Sequence, residues 1–170
     1  IDSSGRMIIG HTASISGVQN MKLQVYSDTY DGSVTLGRWT ANNLGQYVNF
    51  IKSRHGTVGS NAIVQDDDVL GSIVWNADDG VNFSGRSAEI RAEVDGTPGA
   101  DDLPGRLVFY TTADGSDSST ERMRIDAKGR VLIGCNSSSY AYSQLVVEGN
   151  ATFDGGTGGI QLQGGFTNPT

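Results

Sequence analysis

The side chains best equipped for chemistry in this sequence are carboxylates. Glu89, Glu93 and Asp95 alternate with Arg91 along Ala88-Glu-Ile-Arg-Ala-Glu-Val-Asp95. A pair of carboxylates about 5 to 9.5 Å apart is what glycoside hydrolysis requires, one as acid and one as base or nucleophile. On an extended strand, however, these side chains share one face with Arg91 between them, so ion pairing at a solvated surface accounts for them without a cleft. Asp66-Asp67-Asp68, Asp78-Asp79 and Asp101-Asp102 offer oxygen ligands of the kind calcium takes. Their spacing departs from the calcium-loop pattern, because seating Gly80 at the obligatory glycine puts Trp75 at the first ligand position. Solvated turns are the better reading.

The other candidates are weaker. His11 and His55 stand singly; a threefold axis could gather one of them with its symmetry mates around a transition metal, but a surface or turn histidine is the commoner case. Cys135 has no evident base beside it and reads as a small buried side chain at a strand end. Gly155-Gly-Thr-Gly-Gly159 precedes no helix pattern, so close backbone approach explains it better than a phosphate cradle. No catalytic, cofactor-binding or metal-ligating residue is assigned, and no cofactor is expected. Flat rings that stack on sugars are carried by Trp39, Tyr47, Trp75, Phe83, Tyr110, Tyr140 and Tyr142. At least half alternate with polar residues as core positions do. Tyr140 and Tyr142, flanked by serines, are the candidate glycan contacts.

The elements that must position these residues are strands. No window carries the i, i+3, i+4, i+7 apolar spacing of a helix without interruption. Ala88–Asp95 alternates cleanly, with Ala88, Ile90, Ala92 and Val94 on the opposite face to the charges. Gln46–Ile51, Gly71–Trp75 and Leu107–Thr112 are rich in β-branched and aromatic residues, bounded by Asp, Asn, Gly or Ser. They read as core strands, with Trp75 buried and Asp66, Asp67 and Asp68 exposed in the turn before it. Asp31-Gly32, Asp79-Gly80, Asp95-Gly96 and Asp114-Gly115 are turn signals.

One string returns. Ile1-Asp-Ser-Ser-Gly-Arg-Met-Ile-Ile-Gly10 reappears as Ile125-Asp-Ala-Lys-Gly-Arg-Val-Leu-Ile-Gly134, identical at six of ten positions. Each copy has Asp at the first position of a turn and Gly where positive φ is wanted, so both predict hairpins. The organisation this implies is a repeat-type connector at 1–45, a compact β-sandwich-like domain at 46–120, and a second, truncated connector at 121–170.

Composition limits the partners. Glycine fills 24 of 170 positions and proline only 3, which implies many tight turns. A formal charge of −7 without a basic block disfavours nucleic acid and anionic membrane surfaces. No apolar run approaches the ~18 residues of a bilayer span, so no membrane insertion is expected. One cysteine excludes an intrachain disulfide framework. Beginning inside a strand pattern and stopping in a glycine-rich run, the sequence reads as part of a longer polypeptide.

The string Glu121-Arg-Met-Arg-Ile-Asp-Ala-Lys-Gly-Arg-Val-Leu-Ile-Gly134, together with Val94–Phe109 and Thr111–Gly115, resembles bacteriophage tail fibre proteins, where such strings often lie upstream of an intramolecular chaperone domain. The resemblance implies a homotrimer in the virion, extracellular, contacting other tail proteins and bacterial surface polysaccharide. The expectation is an all-β fold: a sandwich-like domain between hairpin connectors intertwined in a trimeric β fibre. Short glycine-rich connector strands cannot bury a core alone, which also favours association. The function expected is structural and host-attaching, without enzymatic activity. A polysaccharide-degrading tailspike and a secreted bacterial surface adhesin are the alternatives.

Overall fold

A computed structural model of the chain describes residues 1–13, 21–29, 34–139 and 143–149. Its described elements are all strands, with no helix: β1 (Met7–Ile9), β2 (Leu23–Val25), β3 (Val69–Asn76), β4 (Arg86–Val94), β5 (Gly105–Thr112), β6 (Ser119–Ile125), β7 (Val131–Ile133) and β8 (Leu145–Val147). Strands β3 to β7 form an antiparallel meander, β8 adds to it parallel to β7, and β1 and β2 form a separate parallel pair. The connections in the meander turn at the Asp-Gly pairs of the sequence: Gly80, Gly96 and Gly115 all take positive φ. Asp31-Gly32 lies outside the described residues.

The two related strings take the same turn. Gly5 and Gly129 have φ of 70° and 74°. In the first, the Gly5 N–H donates to the Asp2 carbonyl at 2.9 Å, and Asp2 Oδ1 accepts from the N–H groups of Ser4 and Arg6 at 2.9 Å each. In the second, the corresponding distances are 2.8 Å for Gly129, 3.0 Å for Lys128 and 2.9 Å for Arg130. The arginine that follows each glycine returns to its aspartate, Arg6 Nε at 2.6 Å and Arg130 Nε at 2.7 Å. The likeness extends further, for Met7 pairs with Leu23 and Val131 with Leu145, both in parallel register. A hairpin reading of the sequence supplies antiparallel neighbours only and does not foresee this parallel partner. Gly10 closes β1 at a φ of 81°, where a Cβ would land on the Tyr26 carbonyl oxygen. Gly134 closes β7 at 75°, with the Glu148 carbonyl 3.0 Å from a Cβ position.

Register sorts the main sheet into two faces. Ile73, Ile90, Phe109, Met123 and Ile133 follow one another across β3 to β7 on one side; Ser72, Arg91, Val108, Arg124 and Leu132 do so on the other. The sheet is one layer, and its alternation in sequence points to the apolar side as the closed one. The structure reverses this over most of the sheet, the exception being Val94 at the end of β4, which is fully buried. Glu89 and Glu93 are buried, as are Val108 and Leu132, which share the charged face. Ile73, Leu107, Ile125 and Ile133 stay partly open to solvent, and Trp75, expected in the core, is 50% exposed. The reason is geometric: within the chain, no second layer of strands lies on that face among the described residues.

Residues 46–51 are a second correction. They form no strand, and Tyr47, Val48, Phe50 and Ile51 are exposed. Their β-favouring composition is not matched by a ladder partner among the described residues. Phe50 nonetheless touches the sheet, its ring occupying the space that a Cβ on Gly71 would need. The boundary expected at residue 120 falls inside β6, which pairs with β5 along its length with one register shift and with β7 at Met123–Ile125.

Since Gly129 has open space around it and a φ of 74°, its substitution tests backbone strain alone. Gly129→Val should cost about 1 to 3 kcal/mol, whereas Lys128→Ser, which installs the residue of the first copy, should leave the melting temperature within a degree or two. Equal shifts for the two variants would contradict the shared turn.

Candidate functional site

The residues singled out for carboxylate chemistry lie together on the charged face of the main sheet, on adjacent strands. β4 presents Glu89, Arg91 and Glu93, and β5 sets Tyr110, Val108 and Arg106 opposite them. Arg91 donates to both oxygens of Glu89 at 2.8 and 2.7 Å and to Glu93 at 3.2 Å, with its guanidinium carbon 4.5 Å from the centre of the Tyr110 ring. Arg106 donates to Glu93 at 2.6 Å, to Asp95 at 3.1 Å and to Asp67 at 2.5 Å. Arg86 adds a bond to Glu89 at 3.0 Å, and Arg124 chelates Glu121 with two of 2.6 Å. The pattern is a ladder of fork-shaped donors on carboxylates.

This arrangement decides the chemistry open to these carboxylates. The Arg91 guanidinium holds the Glu89 carboxyl down at about 2, against the opposing effect of burial, with Ser72 and Arg86 assisting. A glycosidase acid needs the opposite shift, upward toward neutrality. Burial works against the charge of Arg106, yet Asp67, Glu93 and Asp95 keep it more firmly protonated than usual. Burial, and then the neighbouring Glu93 charge, pushes the Tyr110 hydroxyl up. Each group is fixed in one charge state and does not shuttle protons near neutral pH. The carboxylates are also less solvated than the sequence implied, with Glu89 only 2% exposed.

The turn aspartates are committed to structure. Asp68 chelates Arg54 with two bonds of 2.7 Å, which hold its carboxyl well below the usual carboxylate range. Asp66 accepts from the Gly96 N–H at 2.7 Å, and Asp67, in the left-handed region at a φ of 66°, holds Arg106. Asp66 and Asp67 are exposed as expected, but Asp68 is partly covered. Asp78 and Asp79 accept backbone N–H groups of their own turn at 2.8 Å. Among the described residues, no three His, Cys, Asp or Glu side chains converge as metal ligands would. His11 is exposed, edge-on to Tyr26, and His55 is exposed and accepts the Thr57 N–H at 3.0 Å. Cys135 is half-buried rather than buried, since it sits just past β7, where the sheet ends.

Of the aromatic candidates, Trp39 is 93% exposed and Tyr47 is also exposed, while Phe83 and Tyr110 are half-buried. Tyr140 and Tyr142 lie outside the described residues. Sequence reasoning missed one feature altogether: a cavity of about 750 Å³ where Met21 and Tyr26 of the connector meet Ser72, Val74, Phe83 and Arg86 beside the ion-pair ladder. Nothing in the spacing of these residues links positions 21 and 26 to positions 72–86, so no sequence signal marked it.

Comparison with known proteins rests on the backbone. No protein-family model and no curated protein matches the chain. Among solved structures, the carboxy-terminal domain of the bacteriophage T5 L-shaped tail fibre matches with a TM-score of 0.56 at 16% identity, covering 78% of this chain and 49% of that one. The chain has a tail-fibre fold. The structure of that T5 domain together with its intramolecular chaperone domain gives a TM-score of 0.57 at 15% identity, over 84% of this chain and 37% of that one. This chain thus spans about half or less of the tail-fibre chains it matches. The likeness at such low identity lies in the path of the strands and does not transfer any site residue.

The ion-pair ladder makes a pH prediction. Glu89 has a folded-state pKa depressed from its ordinary 4.5 to about 2, so its stabilising contribution is complete above pH 4.5 and is lost as pH falls toward 2. The melting temperature should drop across that window, and Glu89→Gln should flatten the drop. Arg91→Met, which leaves a buried carboxylate short of its main partner, should cost about 3 kcal/mol at pH 7. A variant melting like the parent would show the ladder to be energetically idle.

Proposed function

We propose that this chain is a structural and host-attachment segment of a phage tail fibre, working as a homotrimer in the virion, extracellular and in contact with other tail proteins. In this reading it lengthens the fibre and offers surfaces to bacterial envelope glycans, without catalysing a reaction. The two related turn strings are successive copies of one connector.

The observation that carries the reading is the open apolar face of a tail-fibre fold. Ile73, Trp75, Leu107, Ile125, Ile133 and Leu145 lie on one side of the main sheet and are exposed in the single chain. In the same chain, Val34, Leu36, Trp39, Tyr47 and Ile51 are exposed along a stretch with no ladder partner among the described residues. Contiguous apolar surface of this kind marks an interface in a soluble protein. Both unsatisfied surfaces belong to one polypeptide, so copies of the chain satisfy each other, and threefold closure leaves neither surface over. The arginine-paired carboxylates of β4 support a non-enzymatic role.

Glycan contact is assigned to Tyr140 and Tyr142, between the serines of the second connector, where three weak sites on one trimer gain from multivalency. Light scattering at micromolar concentration should give about three times the 17.9 kDa chain mass. Ile73→Asp, on the open face, should shift the protein toward monomer. A monodisperse parent monomer would overturn the trimer. Joint Tyr140→Ala and Tyr142→Ala substitution should weaken binding to a responsive lipopolysaccharide about tenfold or more with the trimer intact; unchanged binding would remove the pair from the site.

A further inference from the structure

Arginines in this chain grip carboxylates in one characteristic way, and Arg86 departs from it. Arg54, Arg91 and Arg124 each hold a carboxylate with the edge of the guanidinium that carries Nε and Nη2, in pairs of bonds between 2.6 and 2.8 Å. That two-pronged edge matches a planar carboxylate in spacing and direction. Arg86 meets Glu89 through Nη1 alone, at 3.0 Å, and among the described residues nothing bonds to its Nε or Nη2. Asp78, Asp79, Asp114 and Asp117 border it on another side, but none of them comes within ion-pair distance. The fork is therefore vacant, on a side chain that is 42% exposed.

Arg86 lines the cavity of about 750 Å³ between the connector and the main sheet, a size within the range of about 300 to 1,000 Å³ usual for small-molecule sites. Two guanidinium groups, of Arg86 and Arg91, share its wall with one carboxylate, Glu89, whose oxygens both arginines already engage. An added anion balances that wall. Asn76 directs its amide nitrogen to the Phe83 carbonyl at 2.8 Å, and the Tyr26 hydroxyl donates to Gln24 at 2.6 Å, which leaves an oxygen of each side chain to accept. Such acceptors suit ligand hydroxyl groups. Met21, Val74 and Phe83 add apolar surface on which the C–H face of a ring can lie.

We infer that this cavity binds a carboxylate-bearing sugar of the hexuronate class, its carboxylate on the Nε and Nη2 edge of Arg86, its hydroxyls at Asn76 and Tyr26, and its ring against Phe83 and Met21. The site uses neither Tyr140 nor Tyr142. It rests on the cavity and the vacant fork, and does not depend on the tail-fibre reading. Selectivity follows from the chemistry of the wall: a neutral sugar leaves the fork of Arg86 unfilled, and a hydrocarbon acid leaves the acceptors of Asn76 and Tyr26 facing apolar surface.

The test titrates glucuronate into the full chain and follows the amide resonances of Ser72, Val74 and Asn76 by NMR. Glucose, which lacks the carboxylate, and cyclohexanecarboxylate, which lacks the hydroxyls, are titrated in parallel. Glucuronate should bind saturably in the millimolar range, about tenfold or more tighter than either. Arg86→Gln, in which Arg91 still holds Glu89, should erase the preference for glucuronate over glucose, and Arg86→Lys, a point charge without the fork, should recover only part of it. Val74→Trp fills the cavity from a partly exposed position and should abolish glucuronate binding with the melting temperature little changed, which keeps the site testable should an Arg86 variant fail to fold. Equal affinity for glucuronate and either comparison probe, no saturable shift with glucuronate, or parent-like binding by Arg86→Gln or Val74→Trp would overturn the proposal.

Discussion

Arg91 is held by two carboxylates and an aromatic ring, and most of the main sheet depends on that grip. A guanidinium that takes both oxygens of Glu89 and one of Glu93 while lying 4.5 Å from the centre of the Tyr110 ring fixes three side chains on two strands in one arrangement. Arg106 and Arg124 extend the same device across β5 and β6. Their aliphatic stems stand beside Val108 and Leu132 on that face, so the charged side of the sheet is dry enough to bury two apolar residues beneath its own arginines. A face closed in this way needs no other layer. Among the described residues the apolar face has no such cover apart from Phe50 over Gly71.

The connectors obey a more local rule. Asp at the turn's first position accepts two backbone N–H groups with one oxygen and an arginine with the other, and the glycine three residues on supplies the positive φ. All the information needed lies within five residues, so the turn forms twice with different middle residues. The ends of the short strands after each turn are set less locally, for Gly10 and Gly134 are required by chain approaching from 14 to 16 residues away. Short strands, tight turns and close backbone crossings are how a glycine-rich chain builds a thin connector with little core of its own.

That division explains what the sequence disclosed. The all-β class, the Asp-Gly turns, the alternation of β4 and the shared turn at Asp2 and Asp126 were legible because each is set by neighbours within a few residues. Which side of β4 is closed was not legible, because alternation separates Ile90 from Arg91 without saying which is covered. The usual prior, apolar inward, fails where arginines on adjacent strands lock the carboxylates. Residues 46–51 misled for the same reason in reverse: Tyr47, Val48 and Ile51 suit a pleated surface, but a strand also needs a partner, and the described residues supply none. The parallel neighbours of β1 and β7 were invisible because crossovers of 13 and 11 residues leave no spacing signature. The connector-side residues of the cavity, Met21 and Tyr26, were unmarked on the same account.

The two faces are therefore linked through register more than through stability. Buried ion pairs contribute modestly in net terms, because desolvation offsets most of their attraction, and replacing them with well-packed apolar groups is often neutral or better. Their effect on pairing is larger. A slip of one residue between strands moves every side chain to the opposite face. For β4 such a slip would keep the bonds of Arg91 within the strand but separate Glu89 and Glu93 from Arg106 and Tyr110, and it would set Glu89, Arg91 and Glu93 among Ile73, Phe109 and Met123. An apolar ladder on both faces would tolerate that slip. With charge on one face and hydrocarbon on the other, the observed register is favoured over its neighbours, and in that register the hydrocarbon face is the one left open in the single chain.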